Sequence, residues 1–211
     1  MANDLTESTI RAALDFAYDK AVNGVAGMDS ASEIAETYMK RGGSKRDQAN
    51  SLIRWQCTKA GTSGFLMGLG GLAVLPVTIP ANLTSVLYIQ MRMIAAVAHI
   101  GGHDLKNDRI RTFVYLCLTG NTAKDILKDI GIVVGRKLTE NAIKSISGKT
   151  LMKINQRVGF RFITKFGQTG AVNLWRVVPV AGGVVGAIFD TGSTGIIGRL
   201  ARDIFLPEED S

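Results

Sequence analysis

Six side chains stand out because each interrupts an apolar stretch. Thr84, Ser85, Tyr88, Arg92 and His99 fall within one arc of about 100° at helical spacing. Their neighbours are Leu83, Val86, Leu87, Ile89, Met91, Met93, Ile94 and Val97, with Gln90 opposite the polar stripe. Asp190 breaks a second apolar run. Ionised groups are seldom buried alone, so Arg92 should meet a carboxylate, a backbone group or a ligand. Asp190 is its first candidate partner and Asp104 the second. The seam itself has three readings: one hydrated face of a core helix, the lining of a ligand or lipid-headgroup cavity, or part of a membrane span.

Other chemistry is thinner. His99 and His103 are four apart, but Gly101 and Gly102 should end the helix between them, and only Asp104 stands near as a third ligand, so no metal is expected. Cys57 and Cys117 sit among apolar neighbours and read as buried thiols rather than a disulfide or metal pair. With His99 and Asp190 they supply the residue types of a hydrolase, yet no nucleophile sits on a strand-to-helix elbow. The glycines between 61 and 71 have no lysine following them to reach a phosphate, and no dinucleotide fingerprint is present. No catalytic residue and no cofactor are assigned.

Lys149, Lys153, Arg157, Arg161 and Lys165 recur every four residues. Such a line drifts by about 40° per step and gives one helix a broad basic face. Between Ile130 and Phe189 there are nine Lys/Arg and a single acidic residue, Glu140, in a chain of net charge +7. Leu151, Ile154, Val158, Phe160, Phe162 and Ile163 lie beside the charges, so beside the plain reading of a solvated surface, anionic lipid headgroups are the preferred partner, ahead of nucleic acid. No nucleic-acid-binding motif accompanies the charge.

These residues need helices to position them. Residues 60–91 contain no charge, and Pro76 and Pro80 divide the stretch into a glycine-rich helix from Gly61 to about Leu75, an elbow, and a helix from Pro80 to about Ile100. Gly64 and Gly68 should pack closely on a second glycine-rich helix that opens at Gly182, Gly183 and Gly186 and runs to Phe205. Ser30 and Glu33 form a capping box for a helix through Lys40, and Ser44 caps one running to Ala60. Further helices are expected over Leu5–Ala21, Asp108–Leu118, Ala123–Val134, a basic stretch from Arg136 to Ser147, and Thr150–Phe166. The 211 residues, 46% hydrophobic and with four prolines, suit a single all-α domain spanning the chain and built around the two glycine-rich apolar helices, with a frayed acidic tail from about residue 206. Met1 to Glu7 lacks the pattern of a secretory signal, so a cytoplasmic protein, peripheral to the inner membrane, is expected.

The run from Gly64 through Pro76 and Pro80 to Asn82, continued by Tyr88-Ile-Gln-Met-Arg-Met-Ile-Ala-Ala-Val-Ala-His-Ile-Gly-Gly-His-Asp104, resembles the EcsC family of bacterial proteins. So do Pro179-Val-Ala-Gly-Gly-Val-Val-Gly186 with Asp190, Ile197-Gly-Arg199, Cys117-Leu-Thr-Gly-Asn121 and Lys165-Phe-Gly167. His103 departs from the pattern, where the family has an aromatic residue. The resemblance implies an association with membrane export, since the namesake is encoded beside an ABC exporter, and it brings no catalytic residues. The leading expectation is a non-enzymatic cytoplasmic protein at the inner membrane surface, binding lipid or assisting a membrane transporter. Two alternatives stay open: a soluble interaction or regulatory module without lipid affinity, and a hydrolase.

Overall fold

The computed structural model describes residues 7–25, 27–60, 81–132, 140–167 and 182–206. The described residues form helices α1 (Glu7–Asn23), α2 (Ala31–Met39), α3 (Lys45–Ala60), α4 (Ala81–Gly101), α5 (Asp108–Cys117), α6 (Thr122–Asp129), α7 (Glu140–Ser145), α8 (Gly148–Gly167) and α9 (Gly182–Phe205). The fold is all-α, and no strand occurs among them. The expected contact of Gly64 and Gly68 with Gly182, Gly183 and Gly186, the elbow, and the tail from 207 lie outside what the structure describes of main chain and side chains.

Local chemistry starts and stops the helices where the sequence asks. Ser30 Oγ accepts the Glu33 amide at 3.3 Å, and the Glu33 carboxylate takes the Ser30 amide at 2.8 Å, closing the capping box of α2. Ser44 Oγ accepts from the Asp47 amide at 3.1 Å at the start of α3. At the end of α4, Gly102 adopts φ +90°, its amide bonds the carbonyl of His99, and the His103 amide bonds that of Ala98. This pairing satisfies two end carbonyls and needs a residue tolerant of the left-handed region. One expected boundary was too long. α6 stops at Asp129 rather than reaching Val134, because Gly131 at φ +80° turns the chain and the Ile132 amide bonds back to Leu127.

α4 is the hub. It packs against α1, α2, α3, α5 and α9. From Leu87 to Ile100 every side chain is buried except His99, which is partly so. A helix apolar nearly all round belongs in a core or in lipid, and here it is enclosed by protein. Among the described residues no helix is long and apolar enough to cross a membrane. α1 and α2 both pack on α4, and their buried residues mix small side chains, Ala13, Ala17 and Ala21 on one and Ala31 and Ala35 on the other, with Leu14, Tyr18, Ile34 and Tyr38. Each large side chain so buried contributes about 1.5–3 kcal/mol of hydrophobic stabilisation.

α9 lies along both α3 and α4. A Cβ on Gly198 would stand 2.7 Å from Ile53 Cγ2 of α3 and 3.3 Å from Met93 Cε of α4, so the helices meet at a distance only glycine allows. At the far end, a Cβ on Gly101 would come within 2.5 Å of the Phe205 carbonyl oxygen. The His103 ring closes that junction. Its Nε2–H donates to the Phe205 carbonyl at 3.0 Å, which sets the tautomer because a carbonyl only accepts, and its ring meets the Phe205 ring edge-on at 5.3 Å. The departure at His103 thus ties the ends of α4 and α9 together.

Candidate functional site

Two regions inherit the sequence expectations, and the structure treats them differently. The seam on α4 is enclosed at Tyr88 and Arg92, which are fully and nearly fully buried, and partly open at His99. The Arg92 guanidinium donates from Nη1 to the backbone carbonyl of Asp29 at 3.1 Å, just ahead of the α2 cap, and lies 5.2 Å from the centre of the Tyr88 ring. Burial pushes the Tyr88 hydroxyl's pKa up, and Arg92 beside it pulls it partly back. Among the described residues, Arg92 Nε and the Tyr88 hydroxyl have no hydrogen-bond partner. Asp104, expected as a partner of Arg92, instead accepts the Lys106 amide at 2.9 Å and stabilises its own turn. The side chains of Thr84, Ser85 and Asp190 lie outside the described residues. Gln90, on the opposite side of α4, donates at 3.4 Å to the hydroxyls of Ser193 and Thr194 on α9.

Cys57 and Cys117 are both free thiols. Cys117 is wholly enclosed, and burial pushes its thiol pKa well up, so it is a protonated core residue and a poor nucleophile. No three His, Cys, Asp or Glu side chains converge on a common point among the described residues.

The second region is the outer face of α8. Ser147 Oγ accepts the Thr150 amide at 3.2 Å and starts the helix. Ile154, Val158 and Phe162, spaced by four, are buried against the core. Lys149, Met152, Lys153, Gln156, Arg157, Phe160 and Arg161 are exposed. Their alternating spacing of three and one places them on one stripe along the helix. This corrects the apolar partners foreseen for the basic residues. Ile154, Val158 and Phe162 belong to the core and Leu151 and Ile163 are partly buried, so the apolar groups on the outer stripe are Phe160, 66% exposed, and Met152, 61% exposed. Arg157 is not free: its Nη1 pairs with Asp129 Oδ2 at 2.7 Å, with both side chains about half exposed. Among the described residues no carboxylate pairs with Lys149, Lys153 or Arg161. The side chain of Lys165 lies outside them.

Two grooves flank α8. One, of about 570 Å³, lies between α8, the start of α1 and the end of α6, with Glu7, Asp129, Lys153, Arg157, Phe160 and Ile163 in its lining. The other, of about 510 Å³, runs between α1, α5 and α8 and contains a polar cluster that the sequence reading missed. There Arg111 donates from Nη2 to Asp15 at 2.7 Å and from Nε to the Tyr115 hydroxyl at 2.8 Å, while that hydroxyl donates to Asp15 at 2.8 Å. Burial pushes the Tyr115 hydroxyl's pKa strongly up; Arg111 offsets part of this and Asp15 adds to it. Burial alone would lower the Arg111 pKa, but Tyr115, Asp15 and Tyr18 around it hold it above its usual range. The four-residue spacing of Arg111 and Tyr115 was a readable signal. Nothing marked Asp15 among the other acids of the N-terminal half.

Comparison with curated proteins and with solved structures finds no match. The model of the EcsC protein family, by contrast, matches residues 9–206, from the first turns of α1 to the end of α9. That span takes in all but the first two residues of the described helices, the Arg92 seam and the α8 stripe alike, and this chain therefore belongs to the EcsC protein family.

Proposed function

We propose that the protein acts without catalysing a reaction at the cytoplasmic face of the inner membrane, held there by the outer stripe of α8 on anionic lipid, and that from this position it assists a membrane transporter. One observation supports the reading above the others. The exposed face of α8 alternates cations, of which Lys149, Lys153 and Arg161 have no carboxylate partner among the described residues, with two large exposed apolar side chains, Met152 and Phe160. A basic stripe with apolar side chains between its charges suits a surface with negative headgroups above and acyl chains below. Each basic side chain near such a leaflet contributes on the order of 1 kcal/mol. The net charge of +7 adds a long-range attraction of the same sign.

The test is sedimentation of the purified protein with vesicles of phosphatidylcholine alone or mixed with phosphatidylglycerol. Binding should require phosphatidylglycerol and weaken as salt shortens the screening length to about 10 Å at 0.1 M and below that at higher salt. Equal recovery with both vesicle types would remove the anionic-headgroup reading, and recovery with neither would remove the membrane reading and leave a soluble interaction module.

A further inference from the structure

The groove between α8, the start of α1 and the end of α6 has a charge pattern that the anionic-surface reading does not use. Its cations, Lys153 and Arg157, come from α8, and its carboxylates, Glu7 and Asp129, come from the two helices opposite. Among the described residues, two of each sign make the lining neutral. A simple anion entering it would meet both carboxylates, and a simple cation would meet both basic groups. A ligand carrying one charge of each sign, a short distance apart, suits both walls.

We infer that this groove takes a phosphoethanolamine headgroup of a membrane lipid, the phosphate on Lys153 and Arg157 and the ammonium on Glu7 and Asp129. The inference rests on the proposed docking of α8 on a bilayer. Asp129 holds Arg157 at Nη1, 2.7 Å away, which orients the guanidinium and leaves its Nε and second terminal nitrogen for a phosphate oxygen. Lys153 is exposed and has no ion-pair partner among the described residues. The Glu7 carboxylate lies against Gly159 of α8, where a Cβ would stand 3.8 Å from its Oε1. The ammonium is primary rather than quaternary, because the groove offers carboxylate acceptors for N–H donors and, among the described residues, a single aromatic ring, Phe160. A volume of about 570 Å³ is of the size that holds small ligands. Phe160 is 66% exposed and belongs both to this lining and to the outer stripe, so the groove opens where the helix would meet the bilayer. That position assigns the headgroup to a lipid in the membrane rather than to a free solute.

The experiment holds phosphatidylglycerol constant and exchanges phosphatidylcholine for phosphatidylethanolamine in vesicles presented to the full chain. Phosphatidylethanolamine should raise affinity at least fivefold. Glu7→Gln should remove that increment while leaving binding to the phosphatidylglycerol–phosphatidylcholine vesicles and the thermal midpoint unchanged. Equal affinity for the two mixtures overturns the groove assignment and leaves the α8 reading standing. An increment that survives Glu7→Gln reflects bilayer packing and also overturns it. Absence of binding to either mixture sinks the membrane reading and this inference with it. Soluble glycerophosphoethanolamine, titrated without vesicles, supplies the last arm. Binding there by a protein that ignores both vesicle mixtures would assign the groove to a free solute and overturn the lipid assignment.

Discussion

Arg92 and Asp29 meet through the backbone: the buried guanidinium donates a hydrogen bond to the carbonyl oxygen of a residue whose own carboxylate side chain belongs to an exposed position. A single hydrogen bond from a charged donor contributes about 1.5–3 kcal/mol, and the released carbonyl, at an exposed turn, can turn to water. Arg92→Met should therefore destabilise by about 1–2 kcal/mol in a urea titration. A loss of roughly 3–5 kcal/mol would instead mean that a carboxylate had been stranded, which would point to Asp190.

Gly198 separates α9 from Ile53 and Met93. Gly198→Leu should overpack this junction and cost about 1–3 kcal/mol, with Gly198→Ala intermediate. Because a Cβ would strike Ile53 first, at 2.7 Å, Ile53→Ala should relieve much of the strain. A double-mutant cycle by chemical denaturation measures this; strict additivity would show that the contact is not what keeps leucine out.

The chain's four tyrosines are Tyr18, Tyr38, Tyr88 and Tyr115, and burial pushes the hydroxyl of each above the usual 10.0. For a group raised in the folded state, the stabilisation is intact below the unfolded value and is lost as pH climbs past it. Stability should thus hold up to about pH 10 and fall above it, where the unfolded chain ionises first. Tyrosinate absorbance followed alongside helical circular dichroism tests this. The bulk of the absorbance should appear together with loss of helix, and Tyr115→Phe should lessen the alkaline slope. Smooth titration near pH 10 with the helices intact would refute it.

Lys149 and Arg161 are the clean reporters of the outer stripe, since Arg157 is tied to Asp129 and Lys153 also lines the groove. Replacing both by Glu should weaken binding to phosphatidylglycerol vesicles at least tenfold, an effect that shrinks with added salt. Both side chains are exposed, so the thermal midpoint should stay within a degree or two. Phe160→Ser should also weaken binding, but with little dependence on salt, because it removes apolar contact rather than charge.

The sequence was most informative where the cause is local. The Ser30–Glu33 and Ser44–Asp47 caps, the stop at Gly102 and the burial of α4 all follow from residues a few positions apart. So does the basic stripe of α8. Which apolar neighbours accompany it was also present in the spacing: Ile154, Val158 and Phe162 share a face turned away from Phe160, and grouping them as one apolar set hid that. The partners of Arg92, Gln90 and Arg111 were not legible. Asp29, the Ser193–Thr194 pair and Asp15 each lie more than 60 positions away, and only the packing of α1, α4, α5 and α9 brings them into reach. The family resemblance located the chain without naming a single site residue.

The place of α9 between α3 and α4 has a consequence for biosynthesis. The ribosome delivers α3 and α4 well before residues 182–205 emerge, and until then Ile53 and Met93 lack the contact that Gly198 of α9 supplies. The growing polypeptide consequently completes this packing only after α9 is free of the exit tunnel.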